Sequence, residues 1–447
     1  MSEPLSARPR STPLRPSACP GLLRIVPAMD GGICRIKLPG GVITAAQAHA
    51  VADAAALYAG GVIEATNRCN LQIRGIGADH QGLIAMLLDA GLGPSNPASD
   101  DVRNLMLSPT AGVDPQQLCD TRPLARSILD SLENHPGFHE LSPKFALSLD
   151  GGEGLAMLEH PHDLWLSAMR CEGETLMAFG LAGCPADDSP IAAVPMDQAH
   201  ALVISVLEVF LVSAPPEQTR MRHLLAEMSI QTFLQKLPAK LKATLRADSA
   251  ITTRRRRSNP SNRHVGIYQQ AEPGRVAVGA AVPLGRLDPS MLAKAANLAV
   301  QFGDGTLSMT PWQSLMLRNV ALDHATHVLD GLRDAGLITT VEQPLSQLIA
   351  CTGSAACVKG LADTKADARK LADLLTQSRP VHLSGCIRSC AAAHTAPVTL
   401  LAVGSGCYNL YFRDADQPGF GELRGRDLTI EAVGAQLNAD SRSNTDD

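Results

Sequence analysis

The chain has 447 residues, enough for two to four domains, and 45% hydrophobic with 19% charged residues is the balance of a globular protein. Aromatic residues make up only 3%, so the core must be built from Ala, Leu, Val and Met, and a formal charge of −5 argues against a general nucleic-acid binder. The longest apolar run, Ala201–Ala214, is too short to span a bilayer and carries Glu208, which excludes an ordinary membrane span.

In chain order, residues 1–17 are rich in Ser, Pro and Arg without an apolar h-region, and are expected to be a disordered lead-in rather than a secretory signal. The chain is therefore expected to be cytoplasmic, with its eleven cysteines reduced and no disulfide framework. Residues 18–92 form a first half-domain. A strand ends at Pro39, Thr44 caps a helix that runs to Gly60–Gly61, and strands follow around Ile63 and from Leu71 to Ile73. Asp79 then caps a second helix, which ends at Ala90-Gly91-Leu92. Residues 93–248 make a larger α/β domain, whose apolar helix is capped by Asp197 and stopped by Pro215–Pro216. Residues 249–270, with the run Arg254–Arg257, are expected to be a solvated linker.

Residues 271–337 then repeat the first half-domain. Segment 38–80 aligns without a gap on 282–324: Pro39 with Pro283, Gly41 with Gly285, Thr66 with Thr310, Arg74 with Arg318, and Asp79–His80 with Asp323–His324. Asp288 with Pro289 at the first helical position replaces Thr44 as the cap, and Asp323 replaces Asp79. Two copies at so long a period mean a duplicated domain rather than a solenoid. The β-α-β-β-α order of each copy gives an α+β layer. Residues 338–440 complete a second α/β domain.

That last domain carries Cys351-x5-Cys357 and Cys386-x3-Cys390 on either side of a helical stretch near Val358–Leu375. Four thiolates supply the ligand set of a [4Fe–4S] cluster, and Gly353 and Gly385 would let backbone N–H groups approach its sulfides. Zinc prefers tighter pairs, and four separately buried thiols are the remaining alternative. The other seven cysteines are scattered and read as structural.

This cysteine pattern in the second half of a duplicated α+β chain resembles the nitrite/sulfite reductase superfamily, over roughly residues 18–412. Thr66-Asn-Arg68-Cys-Asn-Leu-Gln72-Ile-Arg74 is similar to the family's T-x-R-x-x-x-Q-x-H strand, Arg103-Asn104-Leu105 to its R-N-V element, and Pro143-Lys144-Phe145 to its P-x-K-F element. The resemblance implies two ferredoxin-like half-domains and two larger α/β domains around a pseudo-twofold axis, with siroheme beside the cluster in the reductases. Within the superfamily, Ala18-Cys-Pro-Gly-Leu-Leu-Arg24, Gly32–Gly40 and Gly303–Gln313 look like the precorrin-3B synthases, the monooxygenases of aerobic cobalamin biosynthesis. Those enzymes hydroxylate precorrin-3A at C20 and close a lactone, using O2, reductant, the cluster and a mononuclear non-haem iron attributed to them. The departures point the same way: Ala146 stands where reductases carry a second lysine, Arg74 where they carry His, and Cys-Ile-Arg-Ser-Cys where they carry C-P-N-G-C.

A tetrapyrrole edged with carboxylates calls for guanidinium forks. Arg68, Arg74, Arg103, Lys144, Arg318 and Arg388 are the candidates; Arg68, Arg103 and Lys144 stand on family motif positions, Arg318 rests on the repeat, and Arg388 lies between two cluster cysteines. No iron ligands can be assigned, although Glu159-His160-Pro-His162, expected on a surface loop, offers suitable chemistry, and His324 and His327 lie on one helix. No glycine loop for a nucleotide follows a strand, so NADH would act through a separate reductase. A siroheme-dependent sulfite or nitrite reductase, and an iron–sulfur tetrapyrrole carrier, are the rival readings.

Overall fold

The computed structural model describes residues 19–256, 263–392, 396–414, 417 and 419–443. The lead-in and Arg257 lie outside them. Twenty strands form four five-stranded sheets among these residues, and the architecture is the duplicated α+β arrangement the sequence predicts.

In the first half-domain the sheet is built by Val26–Ala28, Gly31–Ile36, Leu71–Ile76 and Val62–Ala65, all antiparallel. Its fifth strand comes from the other half: Arg286–Leu287 pairs with Val62–Ala65, placing Arg286 opposite Glu64 and Leu287 opposite Ile63. The second half-domain mirrors this. Val42–Thr44 leaves the first half and pairs with Thr306–Met309 at the edge of the sheet that also contains Gly266–Gln269, Arg275–Ala281 and Ser314–Ala321. Each exchanged strand follows a tight left-handed turn, Pro39-Gly40-Gly41 in one copy and Pro283-Leu284-Gly285 in the other. Leu284 is held at φ 51°, a costly conformation for a branched side chain, and burial to 1% exposure against the last domain compensates it.

The helices Ala45–Tyr58 and Pro289–Phe302 pack on each other between these sheets. Small inner residues, Ala48, Ala52 and Ala55 against Ala295, Ala296 and Ala299, let the backbones come close, so both half-domains share one core. Their starts are as predicted. Thr44 accepts from Gln47 N in a capping box, and Asp288 accepts from Met291 N at 2.9 Å with Pro289 next to it. Two predicted caps are corrected. Asp197 and Asp323 sit inside short 3-10 turns, Met196–Gln198 and Leu322–His324, and the helices begin after them with no side-chain cap.

The two α/β sheets share a strand order that the sequence repeat did not reveal. In the first, Leu105–Leu107, Leu147–Asp150 and His162–Cys171 run parallel, and Glu174–Gly183 and Ala192–Pro195 follow antiparallel. In the second, Leu348–Ala350, Val381–Ser384 and Val398–Gly404 run parallel before Cys407–Phe412 and Glu422–Leu428. By length and composition Met196–Ser213 is long enough to cross a membrane, longer than the predicted run because the 3-10 turn leads straight into the helix Ala199–Ser213. Leu202, Val203, Val206, Leu207 and Phe210 on it are buried in the core of the first α/β domain.

In the arginine run Arg254 and Arg255 are exposed, as a solvated linker would have them, while Arg256 is half-buried. Arg256 clamps Asp150 through Nε and Nη2 at 2.9 and 3.0 Å, and Arg254 donates to the Arg170 carbonyl at 2.9 Å.

Candidate metal centre and cationic cleft

Cys351 follows the strand Leu348–Ala350, and Cys386 follows the neighbouring parallel strand Val381–Ser384 after one glycine. Parallel neighbours end at the same edge, so both cysteine loops emerge side by side, and Cys351 N donates to Leu383 O at 3.2 Å. The loops cross where only glycine fits. A Cβ on Gly360 would lie 2.5 Å from the Gly353 carbonyl carbon, and one on Gly353, whose φ is +67°, would lie 2.6 Å from Ala362 O. Gly385 donates its N–H to Cys351 Sγ at 3.2 Å, and a Cβ there would be 3.3 Å from the same sulfur.

The helix between the cysteine pairs begins later than predicted. It spans Thr364–Leu374 behind the cap Asp363, because Cys357–Ala362 turns back beneath Gly353 and Gly385. Thr364 donates to the Cys351 carbonyl at 2.7 Å and lies 3.5 Å from its sulfur. From the first half-domain, Asn67 Nδ2 donates to Ala391 O at 3.1 Å and ties the fourth cysteine loop to that half-domain.

Among the described residues no cysteine is in a disulfide. Cys390 is the most open of the four, and its thiol is pushed up by partial burial and then by the charges of Cys386, Cys351 and Cys357, with Arg388 opposing. The four sulfurs thus share one field. Among the described residues, however, no three His, Cys, Asp or Glu side chains close around a single ion. Four thiols whose charges reach one another, with an N–H already aimed at one sulfur, supply the donor set that a Cys₄ iron–sulfur cluster needs.

Within the field of Cys390 lies a cluster of arginines, Arg35 with Arg68 and Arg220 near it. Arg68 sits on the turn between Val62–Ala65 and Leu71–Ile76, where Thr66 Oγ1 accepts the N–H groups of Arg68 and Asn70 and Cys69 adopts φ 57°. Burial, with Arg220 and Arg35 nearby, lowers the Arg68 pKa to about 10, while Asp163 and Cys19 oppose. Arg35 donates through Nε and Nη2 to the Gln72 side-chain oxygen at 2.8 and 2.7 Å. Burial lowers it too, and Cys19, Asp101 and Cys390 pull it back up. Arg220 reaches both oxygens of buried Asp163 at 2.9 Å. Asp163 also accepts Ala146 N at 2.9 Å, so a buried alanine occupies the position of the family's second lysine.

Other candidates are placed elsewhere. Arg74 makes a two-pronged bond to Asp30, at 3.0 and 2.9 Å, and lies 3.8 Å from Glu64, so its guanidinium is committed to the fold. Its repeat partner Arg318 is likewise paired, with Asp304 at 3.7 Å and Thr306 Oγ1 at 3.3 Å. Arg103 lines a separate cavity beside Glu133 and Asp100. Lys144 is exposed on its loop, and Arg388 is exposed beside Cys390.

His160 and His162 are buried, contrary to the surface loop expected for them, and their rings lie tilted with centroids 4.8 Å apart. His162 Nδ1 donates to the His160 carbonyl at 2.7 Å, and burial, then Arg68, lowers its pKa to about 3. His324 and His327 both pack against the Phe302 ring. Sequence reasoning missed Arg35 and Arg220, and it singled out His162 but expected it on the surface. Arg35 had a signal, alternation with buried Cys34 and Ile36; Arg220 had none, since only the tertiary fold brings it to Arg68.

Comparison with known proteins bears on both layers. The family description "Nitrite and sulphite reductase 4Fe-4S domain" matches residues 98–245, and "Nitrite/Sulfite reductase ferredoxin-like half domain" matches 27–90 and again 268–335. The first match falls on the α/β domain whose strand order the cysteine domain repeats. Among relatives, the chloroplastic ferredoxin–nitrite reductase of Zea mays is 29% identical over 393 residues, 81% of this chain and 68% of that one. That of Arabidopsis thaliana is 29% identical over 397 residues, 81% and 66%. The chain thus spans about two thirds of their length. A precorrin-3B synthase of Sinorhizobium sp is 24% identical over 399 residues, 88% of this chain and 82% of the relative. The Mycobacterium tuberculosis NirA protein superposes with a TM-score of 0.72 at 20% identity, covering 92% of this chain and 80% of that one.

Proposed function

The chain belongs to the nitrite/sulfite reductase family of oxidoreductases, and from that premise we propose that it is a precorrin-3B synthase: an O2-dependent monooxygenase that hydroxylates precorrin-3A at C20 and forms the lactone.

The observation that carries this reading is the make-up of the arginine cluster near the fourth cysteine. A small anion such as sulfite or nitrite calls for several cations and proton donors converging on one point. Here the second lysine position is a buried alanine, and the final position of the strand motif is Arg74, locked onto Asp30. What remains is a broad set of guanidinium groups, Arg35, Arg68 and Arg220, suited to carboxylates spread around the edge of a macrocycle. The larger share of the Sinorhizobium relative that is covered, 82% against 68% of the Zea mays protein, supports the same branch.

Cys351, Cys357, Cys386 and Cys390 would hold the [4Fe–4S] cluster, which when bound passes electrons singly from an external donor. The residues of the chain do the rest. Arg68 and Arg220 clamp macrocycle carboxylates; Arg35, fixed by Gln72, sets the depth of entry; Arg388 supplies charge at the rim. Holding the ring A acetate beside C20 makes lactone closure intramolecular, a proximity gain of several orders of magnitude in effective concentration. Neutral His162 presents a hydrogen-bonding edge next to Arg68 without adding charge. Asp163 anchors Arg220 and so fixes the floor.

The test is anaerobic reconstitution with iron and sulfide, then incubation with precorrin-3A, O2 and a reductant, read by mass spectrometry. A product heavier by one oxygen is expected. Unchanged precorrin-3A, with nitrite or sulfite reduced by siroheme-loaded protein, would overturn the assignment. That second reading is favoured by the higher identity to the nitrite reductases, 29% against 24%.

A further inference from the structure

One residue beyond Thr364, which bonds the first cluster cysteine, stands a buried cation that neither the ligand set nor the arginine cluster uses. Lys365 is the second residue of the helix Thr364–Leu374 and is 7% exposed. Its Nζ donates to the Leu284 carbonyl at 2.5 Å and lies 3.5 Å from Glu64 Oε1, longer than a charge-assisted hydrogen bond. Burial holds its pKa below the usual lysine value against the pull of Glu64. Arg286 adds to the depression and the charge of Cys351 opposes it, so Lys365 and Cys351 share one field.

Burying an ammonium is costly, and the carboxylate it approaches does not require it. Glu64 already has Arg286 at 3.1 Å and Arg74 at 3.8 Å, while Asp30 holds the Arg74 fork at 3.0 and 2.9 Å. Two more acids, Asp363 and Asp367, belong to the start of the same helix. Asp363 caps it through Ala366 N, and Asp367 accepts the Tyr408 hydroxyl at 2.7 Å and lies 3.8 Å from Lys370. Whatever the sum of these charges, removing one of them changes the field at Cys351 by that charge alone.

The twin α/β domain supplies the contrast. A shift of 243 residues, from 105 to 348, lays Leu105–Leu107 on Leu348–Ala350, Ser108 on Cys351, Thr121 on Thr364 and Arg122 on Lys365. Thr121 and Thr364 are both fully buried, so the two helices start alike. Where the cysteine is a serine, however, the matching cation turns outward. The Arg122 side chain is 44% exposed and pairs with Asp120 at 2.8 Å. Of the two copies, the one with the cluster cysteines is the one that buries its cation.

We propose that Lys365 tunes the cluster: its buried ammonium raises the potential at which the cluster accepts an electron. This rests on the reading of the four cysteines as cluster ligands, and on neither the macrocycle nor the reductase assignment. An added electron makes the cluster more negative, and a fixed cation nearby lowers the cost of that charge. Salt screens a buried charge far less than an exposed one, which separates Lys365 from the surface cations around the same loops.

The test is a potentiometric titration of the reconstituted full chain, read by the EPR signal of the reduced cluster, at low and at high salt. Iron and sulfide content come first: wild type that holds no cluster sinks the cluster reading and the tuning role with it. With cluster present, Lys365→Met is expected to lower the midpoint potential by the same amount at both salt concentrations. Lys359→Met removes an exposed cation close to Cys357, and is expected to give a smaller shift that fades with salt. The double variant Glu64→Gln with Lys365→Met leaves no unmatched carboxylate, and its potential should fall between those of wild type and Lys365→Met. The tuning role alone is overturned if neither variant lowers the potential, or if the Lys365→Met shift fades with salt as that of Lys359→Met does. Cluster uptake lost from both variants marks a purely structural lysine and overturns it as well.

Discussion

Glu64→Gln is the most informative single change outside the cleft. Glu64 is 8% exposed and sits among Arg286 at 3.1 Å, Lys365 at 3.5 Å and Arg74 at 3.8 Å. Burial opposes its ionisation, yet Lys365, Arg74 and Arg286 together hold its carboxyl below the usual range. Arg74 keeps Asp30 after the change, but Lys365, 7% exposed, keeps only the Leu284 carbonyl. Stranding a buried cation in this way costs about 3–5 kcal/mol. At roughly 2 °C per kcal/mol for a protein of this size, the first thermal transition should fall by about 6–10 °C. The assay is calorimetry of wild type, Glu64→Gln, Lys365→Met and the double variant, with cluster absorbance followed in parallel, because Lys365 adjoins Thr364 and Thr364 bonds Cys351. The double variant should recover about half the loss, a coupling of ~1.5 kcal/mol or more. A single variant within about 1 kcal/mol of wild type, or strictly additive effects, would refute the reasoning. The pH sign also follows. A carboxyl depressed in the folded state contributes stability that is present above its unfolded pKa and is lost as pH falls through the folded value.

Four further outcomes are expected. Cys357→Ala should abolish the reduced-cluster EPR signal and lower iron content, while Cys407→Ala should leave both unchanged. Gly353→Ala puts a side chain at φ +67° and 2.6 Å from Ala362 O; a strain of about 1–2 kcal/mol plus the clash should lower cluster yield on reconstitution, measured as acid-labile sulfide. Arg68→Leu should weaken tetrapyrrole binding roughly 10–100-fold by fluorescence titration, the value of one charge-assisted contact, while Arg74→Leu lowers the melting temperature more than the affinity. Glu153 is raised well above the ordinary carboxyl range by burial and by Asp150, so its stabilising contribution is full at low pH and lost as pH rises through the folded pKa. Glu153→Gln should therefore cost less than about 1 kcal/mol at neutral pH and flatten the loss of stability toward high pH.

The parts legible in the sequence were those set by short-range chemistry. Pro39, Thr44, Asp288 and Pro289 specify turns and helix starts through local backbone geometry, and the structure places them as read. The cysteines could be read as two pairs, while only the sheet shows that Cys351 and Cys386 follow neighbouring parallel strands. Where competing turns exist, local reading failed: Asp197 and Asp323 look like caps, but a 3-10 turn absorbs each of them. The cleft was only partly legible. Arg68 and Arg74 lie on one strand motif and look alike as cations, and only the fold shows that Asp30 claims one while Arg35 and Arg220 gather around the other. The strand exchange was invisible, because a run such as Val42–Thr44 carries no mark of which sheet it will join.

That exchange has a consequence for synthesis on the ribosome. The first half-domain emerges with the outer edge of Val62–Ala65 unpaired, and the strand that covers it, Arg286–Leu287, is made more than 200 residues later. At about 5–20 residues per second the edge waits roughly 10–45 seconds. A nascent chain in this state offers a bare strand to its neighbours on the same message, and chaperone occupancy during that interval should decide how much protein reaches the native state.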